Sequence, residues 1–173
     1  MIQSFVDGPL WYFSLFVFVA GVLWRLTGLW RLGSHTEYSE PRGSAAGGGL
    51  RRHGKTVALQ TRPTQRLEDA ILYCTHESMF VDEANLVAFR RIAAKSRLQR
   101  FGGDCYAYCM LALGQIDLVV EDTLQPYDIV PLIPIIEAAG GVVTDARGKS
   151  PVAGGFVVAA ASRQLHEEAM SLL

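Results

Sequence analysis

Glu121 and Asp128 lie in the stretch from Glu121 to Gly141, where the residue types are best suited to chemistry. Glu121 ends a predicted strand, and after a short loop Asp128 begins a predicted helix. Polar chemistry in α/β folds collects where strands end and helices begin. A helix N-terminus also offers unpaired N–H groups and a positive dipole end, which favour a bound phosphate. The pattern therefore indicates a polar site around these two residues.

The same residues also have an ordinary structural interpretation. Asp128 is a typical N-cap residue, and Glu121 fits a solvent-exposed strand end. Pro131 is compatible with a first helical turn, where N–H groups have no intrahelical partner. Pro134, one turn later, is expected to loosen or kink the start of that helix. The spacing alone leaves both interpretations open.

The elements around these carboxylates alternate between strand and helix from Lys55 to the C-terminus, which predicts a layered α/β domain. Leu86, Phe89 and Ala93 recur at helical spacing behind Asp82, which is placed to cap that helix. The predicted strands are 57–60, 71–75, 98–101, 116–121, 142–145 and 156–161. The predicted helices are 82–95, 104–113, 128–139 and 165–173.

Charge and cysteine content narrow the class of protein. The net charge is -1, so the chain lacks the basic surface that general binding to nucleic acid requires. The three cysteines, Cys74, Cys105 and Cys109, are an odd number without a CxxC pair. This indicates a reducing compartment rather than a disulfide framework. Cys105 and Cys109 would share a helix face, where small core residues are favoured over metal ligands.

Residues 1–33 differ in character from the rest. The uncharged run from Pro9 to Trp24, extended to Phe5 apart from Asp7, approaches the about 20 apolar residues of a membrane-spanning helix. A signal peptide is disfavoured because basic residues follow the run instead of preceding it. A buried core helix is the remaining alternative. We therefore predict one transmembrane segment at 1–33, in contact with the bilayer through residues 5–24.

The arginines after this segment, beginning with Arg25, predict its orientation. By the positive-inside rule the N-terminus lies outside and the remainder in the cytoplasm, which places the protein in the inner (cytoplasmic) membrane. Residues 34–54 are rich in glycine and serine without periodicity, which is typical of a flexible linker. The N-terminal segment also weakly resembles the opening helix of a membrane cytochrome b gamma subunit.

Several motifs in the second part of the chain resemble one enzyme family. Tyr-Asp at 127–128, followed by Ile-Ile-Glu-Ala-Ala-Gly-Gly at 135–141, resembles the C-terminal signature of the inositol monophosphatase family. Leu-Gln-Pro at 124–126 and Gly-Asp-Cys-Tyr-Ala-Tyr at 103–108 are similar to its histidinol-phosphatase branch. The three alanines at 159–161 fit the closing strand. The resemblance covers residues 55–173 and implies the C-terminal lobe of a layered sandwich.

The resemblance implies magnesium-dependent hydrolysis of a phosphate monoester. Asp128 would be a Mg2+ ligand, and Asp104 and Glu121 would contact the substrate. Hard cations with oxygen ligands hold water and clamp the charged oxygens of the transition state. The implied substrate is histidinol phosphate, from histidine biosynthesis. It carries an amine and an imidazole, so acidic residues would favour it over an uncharged polyol.

The sequence departs from the family pattern at two places. Thr123 stands where the family usually has glycine, and a β-branched residue would be strained there if φ is positive. The family's N-terminal metal motif, Asp-Pro-Ile-Asp-Gly-Thr, does not occur in the 173 residues. No complete catalytic set is therefore expected from this chain alone.

Two hypotheses remain open. The chain is part of an enzyme that needs an N-terminal lobe, or it is a catalytically inactive membrane-tethered lobe or fusion product that at most binds partners. Without a second lobe, apolar positions such as Val119, Ile133 and Ile136 are expected to be exposed, which would favour self-association.

Overall fold

The computed structural model describes residues 49–52 and 55–173. The predicted transmembrane segment at 1–33 and most of the predicted linker at 34–54 lie outside the described residues. Within the part of the chain that is described, no helix combines the length and apolarity needed to cross a membrane. The fold can therefore be related to the sequence predictions only from Gly49 onward.

A small hairpin precedes the main domain. Strand β1 (Gly49–Arg52) pairs antiparallel with strand β2 (Lys55–Ala58). The first of these strands lies inside the stretch predicted to be a flexible linker, and the second begins two residues before the strand predicted at 57–60. Regular structure thus begins earlier than the glycine-rich composition indicates, because cross-strand pairing is not visible in local composition.

The main domain contains one five-stranded mixed sheet, in the order β4-β3-β5-β7-β6. Strands β3, β4 and β5 are parallel, whereas β7 runs antiparallel to both β5 and β6. The strands are β3 (Ile71–Cys74), β4 (Leu98–Phe101), β5 (Leu118–Leu124), β6 (Val142–Asp145) and β7 (Gly155–Ala160). The observed sheet confirms the predicted α/β class.

Five helices cover the two faces of this sheet. They are α1 (Glu83–Lys95), α2 (Cys105–Ala112), α3 (Pro126–Ile129), α4 (Ile133–Ala138) and α5 (Arg163–Met170). Local capping explains where two of them start. Asp82 accepts a hydrogen bond from the Ala84 amide at 2.8 Å before α1, as predicted, and Ser162 accepts one from the Leu165 amide at 3.2 Å before α5.

Two hydrophobic cores lie on opposite faces of the sheet, because successive side chains of a strand point to opposite sides. Leu118 and Val120 of β5 pack with α1 and α5, whereas Val119 packs with α2, α3 and α4. The molecule is thus a helix–sheet–helix sandwich. Burial of each such side chain stabilises the fold by about 1.5–3 kcal/mol relative to exposure.

The expected exposure of apolar positions was wrong for Val119 and Ile136, which are fully buried. The three helices α2, α3 and α4 cover this face without help from another lobe. Ile133 is half-buried and packs against the same core. Among the described residues, the large apolar side chains that are most exposed are instead Val81 at 83% and Tyr127 at 72%.

The prediction of a single helix at 128–139 was also wrong. The chain forms α3 and α4 with a break between them, and the first of these helices starts at Pro126. Pro131 and Pro134 lack amide hydrogens, so a continuous ladder of hydrogen bonds cannot pass through both. Strand β5 continues to Leu124 instead of ending at Glu121, and α5 spans 163–170 rather than 165–173.

Candidate functional site

Three parallel strands bring the predicted site residues to one edge of the sheet. Thr75 follows β3, Glu121 lies in β5, and the turn that contains Asp104 follows β4. The carboxyl ends of parallel strands meet at a common edge, which is where ligands bind in open α/β sheets. Asp128 lies in α3, which follows the carboxyl end of β5.

Glu121 is the centre of a hydrogen-bond network at this edge. Glu121 is only 1% exposed. One carboxylate oxygen accepts hydrogen bonds from the Thr75 amide at 3.0 Å and from the Thr75 hydroxyl. The other oxygen accepts a hydrogen bond from the Tyr108 hydroxyl at 2.8 Å. The interpretation of Glu121 as a solvent-exposed strand end is therefore wrong.

The electrostatics of this network are dominated by burial. Burial raises the pKa of Glu121, the hydrogen bonds from Thr75 and Tyr108 oppose this shift, and the charge of Asp104 adds to it. Burial also raises the pKa of Tyr108, with further contributions from Glu121 and Asp128. Burial and the Glu121 charge raise the pKa of Cys74 to about 12. The charges of Asp104 and Asp128 therefore act on this buried pair, Asp104 on Glu121 and Asp128 on Tyr108.

Asp104 stands exposed before α2, with a φ of 43°. It was predicted to open this helix, which indeed begins at the next residue, Cys105. Its side chain makes no capping hydrogen bond, so its carboxylate does not satisfy the helix N-terminus. A non-glycine residue in left-handed backbone conformation is uncommon and costs of order 1–3 kcal/mol. The backbone thus presents an exposed carboxylate next to Glu121.

Asp128 is half-buried at the third position of α3. Its Oδ2 atom accepts a hydrogen bond from the Gln125 amide at 2.8 Å. The residue therefore stabilises the helix start, as in the ordinary structural interpretation, although not from the N-cap position. The remaining capacity of the carboxylate to accept bonds leaves a role toward a cation open.

A complete magnesium site does not arise from the described residues. Within residues 49–52 and 55–173, no group of three or more histidine, cysteine or acidic side chains is arranged to hold a metal ion. Mg2+ requires near-octahedral oxygen ligands, commonly one or two carboxylates together with substrate phosphate and water. Of the proposed ligands, the described residues thus supply only the carboxylate of Asp128. One carboxylate is too few oxygen ligands for a two-metal centre.

Thr123 adopts the conformation that makes a β-branched residue costly. Its φ is 57°, and the pairing of β5 with β7 shifts register between Glu121 and Leu124. The Thr123 amide donates to Asp122 Oδ1 at 2.7 Å, and its hydroxyl donates to the Met79 carbonyl at 3.1 Å. These bonds hold the residue in a β-bulge that turns the strand end toward α3.

Two further buried carboxylates did not emerge from the sequence. Asp122 is 6% exposed and accepts a hydrogen bond from Asn85 of α1 at 2.8 Å, on the opposite face of β5 from Glu121. Asp117 is fully buried and accepts hydrogen bonds from Arg62 at 3.1 Å and the Ile71 amide at 2.8 Å. The apolar run between these two residues could have indicated their burial from the sequence, because a strand that is buried on both faces also buries the polar residues at its ends.

The family of the chain follows from comparison with known proteins. Residues 36–173 match the inositol monophosphatase family. This chain belongs to the inositol monophosphatase family. The match begins within the predicted linker and leaves out residues 1–35. The comparisons do not support a similarity between the N-terminal segment and a membrane cytochrome b gamma subunit.

Two phosphatases are similar to this chain in sequence. The bifunctional phosphatase IMPL2, chloroplastic, from Arabidopsis thaliana is 42% identical over 124 residues, which are 66% of this chain and 36% of the relative. A histidinol-phosphatase from Chlorobaculum parvum is 38% identical over 58 residues, which are 34% of this chain and 22% of the relative. The chain thus spans roughly a fifth to a third of these relatives.

Solved structures support the same fold. An inositol monophosphatase from Zymomonas mobilis superimposes with a TM-score of 0.63 at 38% identity, over 66% of this chain and 46% of that one. The suhB protein from Bartonella henselae shares the fold with a TM-score of 0.58 at 24% identity, over 68% of this chain and 47% of that one. The sandwich described above is therefore a part of the family fold.

Proposed function

We propose that this chain supplies the substrate-recognising part, and one metal ligand, of a magnesium-dependent phosphate monoester hydrolase. The observation that carries the proposal is the buried hydrogen bond of Tyr108 to Glu121 at the carboxyl edge of the sheet, where Asp104 follows β4 and Asp128 lies in the helix after β5. Membership of the inositol monophosphatase family supports the class of reaction. Asp128 is the proposed Mg2+ ligand. Bound magnesium would supply charge neutralisation at the phosphoryl oxygens.

The proposed substrate is histidinol phosphate, which carries positive charge in addition to its phosphate. Asp104 and Glu121 place negative charge at one end of the site, which favours a cationic group over an uncharged polyol. Asp104 is exposed and is the residue proposed to contact that group, whereas Glu121 acts from below the surface. The names of two relatives, histidinol-phosphatases from Chlorobaculum parvum and Mycobacterium tuberculosis, are consistent with this choice.

The remaining ligands are proposed to come from an N-terminal half that carries the Asp-Pro-Ile-Asp-Gly-Thr motif, because this motif does not occur in the 173 residues. A second candidate function is non-catalytic binding of a phosphate ester or of a partner. It is favoured by the same missing motif and by the described residues, which form no metal cluster.

The two candidates are separated by an assay of phosphate release from histidinol phosphate with millimolar Mg2+. The chain is mixed with a separately produced N-terminal half of an inositol monophosphatase domain. We expect turnover in the mixture that Asp128→Asn abolishes and that Glu167→Gln leaves unchanged, since Glu167 is an exposed carboxylate on the distant helix α5. Binding of the ester without turnover in the mixture would favour the non-catalytic function.

We also propose that the chain is anchored in the inner membrane through residues 5–24, with the phosphatase-like domain in the cytoplasm. The support is the uncharged run from Pro9 to Trp24 and the basic residues that follow it.

A further inference from the structure

The hydrogen bonds to Glu121 join three separate elements. Thr75 stands at the end of β3, Glu121 in β5, and Tyr108 in α2, and both donor residues are far from Glu121 along the chain. Tyr108 is 2% exposed and Glu121 1% exposed, so bulk water reaches neither group. The described hydrogen bonds to Glu121 come from buried or half-buried protein groups.

The hydrogen bonds to Glu121 favour its charged form and oppose the effect of burial. A buried carboxylate is costly unless hydrogen bonds compensate its desolvation. Three donors approach Glu121, from the amide and hydroxyl of Thr75 and the hydroxyl of Tyr108. Hydrogen bonds donated to the charged form stabilise that form. Packing alone would not require this group, because well-packed apolar side chains often replace buried charges without loss of stability.

The charge of Glu121 is not neutralised by a cation among the described residues. The groups that contact it are Thr75 and Tyr108, the charge of Asp104 acts on it from the turn after β4, and its register partner in β7 is the apolar Val157. The ion pairs within the described part of the chain include neither Glu121 nor Asp104. They are Arg62–Asp117, Arg66–Glu68 and Arg90–Glu77.

We infer that Thr75 and Tyr108 are positioning residues for substrate selection. They hold the Glu121 carboxylate ionised and fixed next to Asp104, so that two negative charges together attract a positively charged group of the substrate. The inference rests on the proposed function, because it requires that the substrate binds at this edge of the sheet. Its chemistry is specific to a phosphate ester with an ammonium or imidazolium group, since an uncharged alcohol would gain little from the buried negative charge of Glu121 in addition to the exposed one of Asp104.

The first test is a carbon NMR titration of the Glu121 carboxyl group in the full chain, with the resonance assigned from Glu121→Gln. We expect Tyr108→Phe to move the titration midpoint to higher pH, because one donor to the charged form is lost. Thr75→Val should do the same, whereas Thr75→Ser retains the hydroxyl and should restore the wild-type midpoint. Tyr106→Phe is the matched control, because Tyr106 lies on the exposed side of α2.

An unchanged midpoint in both Tyr108→Phe and Thr75→Val would overturn the inference. Far-ultraviolet circular dichroism on each variant shows whether it folds. If Tyr108→Phe does not fold, Thr75→Val and its rescue by Thr75→Ser decide the outcome.

The second test uses the mixture with an N-terminal half. Tyr108→Phe should raise the KM for histidinol phosphate by roughly tenfold while changing the KM for an inositol phosphate much less. Equal changes for both esters would overturn the role in selection. If no mixture hydrolyses either ester, the proposed function fails, and the NMR titration still decides whether Thr75 and Tyr108 position Glu121.

Discussion

Glu121 and Asp122 are neighbours in sequence but act in different layers of the sandwich. Glu121 contacts α2 through Tyr108, and Asp122 contacts α1 through Asn85. Each carboxylate thus connects the end of β5 to one helical layer. Because a strand alternates its side chains, one pair of acidic residues can fix the strand end from both faces.

The first prediction concerns how Asp104 and Glu121 recognise the positive charge of the substrate. In a mixture with an N-terminal half, Asp104→Asn and Glu121→Gln should each weaken turnover of histidinol phosphate roughly tenfold to a hundredfold, since a charge-assisted contact contributes about 1.5–3 kcal/mol. Turnover of an uncharged phosphate ester should fall much less. The measurement is kcat/KM for both esters, and equal losses would show that neither carboxylate senses the positive charge of the substrate.

The backbone at Thr123 gives the second prediction. Its φ of 57° is better suited to asparagine than to a β-branched residue. Thr123→Asn should raise the free energy of unfolding by up to about 1 kcal/mol, whereas Thr123→Val should lower it by about 1 kcal/mol. Valine keeps the branching but loses the hydrogen bond to the Met79 carbonyl. Chemical denaturation measures both: a clearly destabilising asparagine would contradict the assignment of strain, and a stabilising valine would contradict the contribution of the hydrogen bond to Met79.

At the scale of elements, the β5–β7 contact depends on a glycine. Gly154 has a φ of +75°, and a Cβ atom there would lie 2.2 Å from the Leu124 carbonyl oxygen. The close approach lets β7 start beside the end of β5, where Gly155 pairs with Leu124. The strand end that contains Glu121 is therefore fixed by backbone packing as well as by its hydrogen bonds.

This close approach gives the third prediction. Gly154→Ala should lower the free energy of unfolding by about 2–5 kcal/mol, from left-handed strain plus overpacking. Gly148→Ala is the matched control, because its φ of +73° is similar but no heavy atom lies within 4 Å of its added Cβ. It should lower stability by only about 1–2 kcal/mol. Similar losses in thermal or chemical denaturation of the two variants would show that the contact with Leu124 is unimportant.

At the scale of the whole molecule, the described sandwich corresponds to part of its relatives. It covers 46% of the inositol monophosphatase from Zymomonas mobilis. Its own two cores are nevertheless closed, since Leu118 of one core and Val119 of the other are fully buried. The domain therefore packs like a folded unit while its proposed metal site has a single carboxylate from the described residues.

The fourth prediction is that the chain alone does not hydrolyse phosphate esters at an enzymatic rate. Asp128 is one carboxylate, and a two-metal clamp requires several oxygen ligands to hold its cations about 3.5–4 Å apart. The assay uses the purified chain in detergent with histidinol phosphate and millimolar Mg2+. Robust turnover that Asp128→Asn abolishes would contradict this prediction and would assign the missing ligands to other residues or to a second copy.

The fifth prediction concerns the membrane. If residues 5–24 span the bilayer, the full chain should remain in the pellet after a carbonate wash, because the apolar side chains of this segment are buried in lipid. Deletion of residues 1–33 should release the remaining chain from the pellet. Recovery of the undeleted chain in the supernatant would contradict the spanning segment.

Local sequence determined most of the elements of this protein. The Asp82 cap, the turn that contains Asp104 and the apolar runs of β3, β5 and β7 all depend on near neighbours, so they could be predicted from residue types and periodicity. For Thr123 the family resemblance indicated only that a positive φ would be strained, and the structure shows a φ of 57°. The family motifs indicated which carboxylates belong near one another.

Only the tertiary structure decided what those carboxylates contact. Thr75 is 46 residues from Glu121 along the chain, and the two meet because β3 and β5 are adjacent and parallel. The burial of Val119 likewise depends on how α2, α3 and α4 pack, which no local pattern encodes. A residue's backbone preference is set within about one turn of chain, whereas the partner of a buried charge is set by strand order and register.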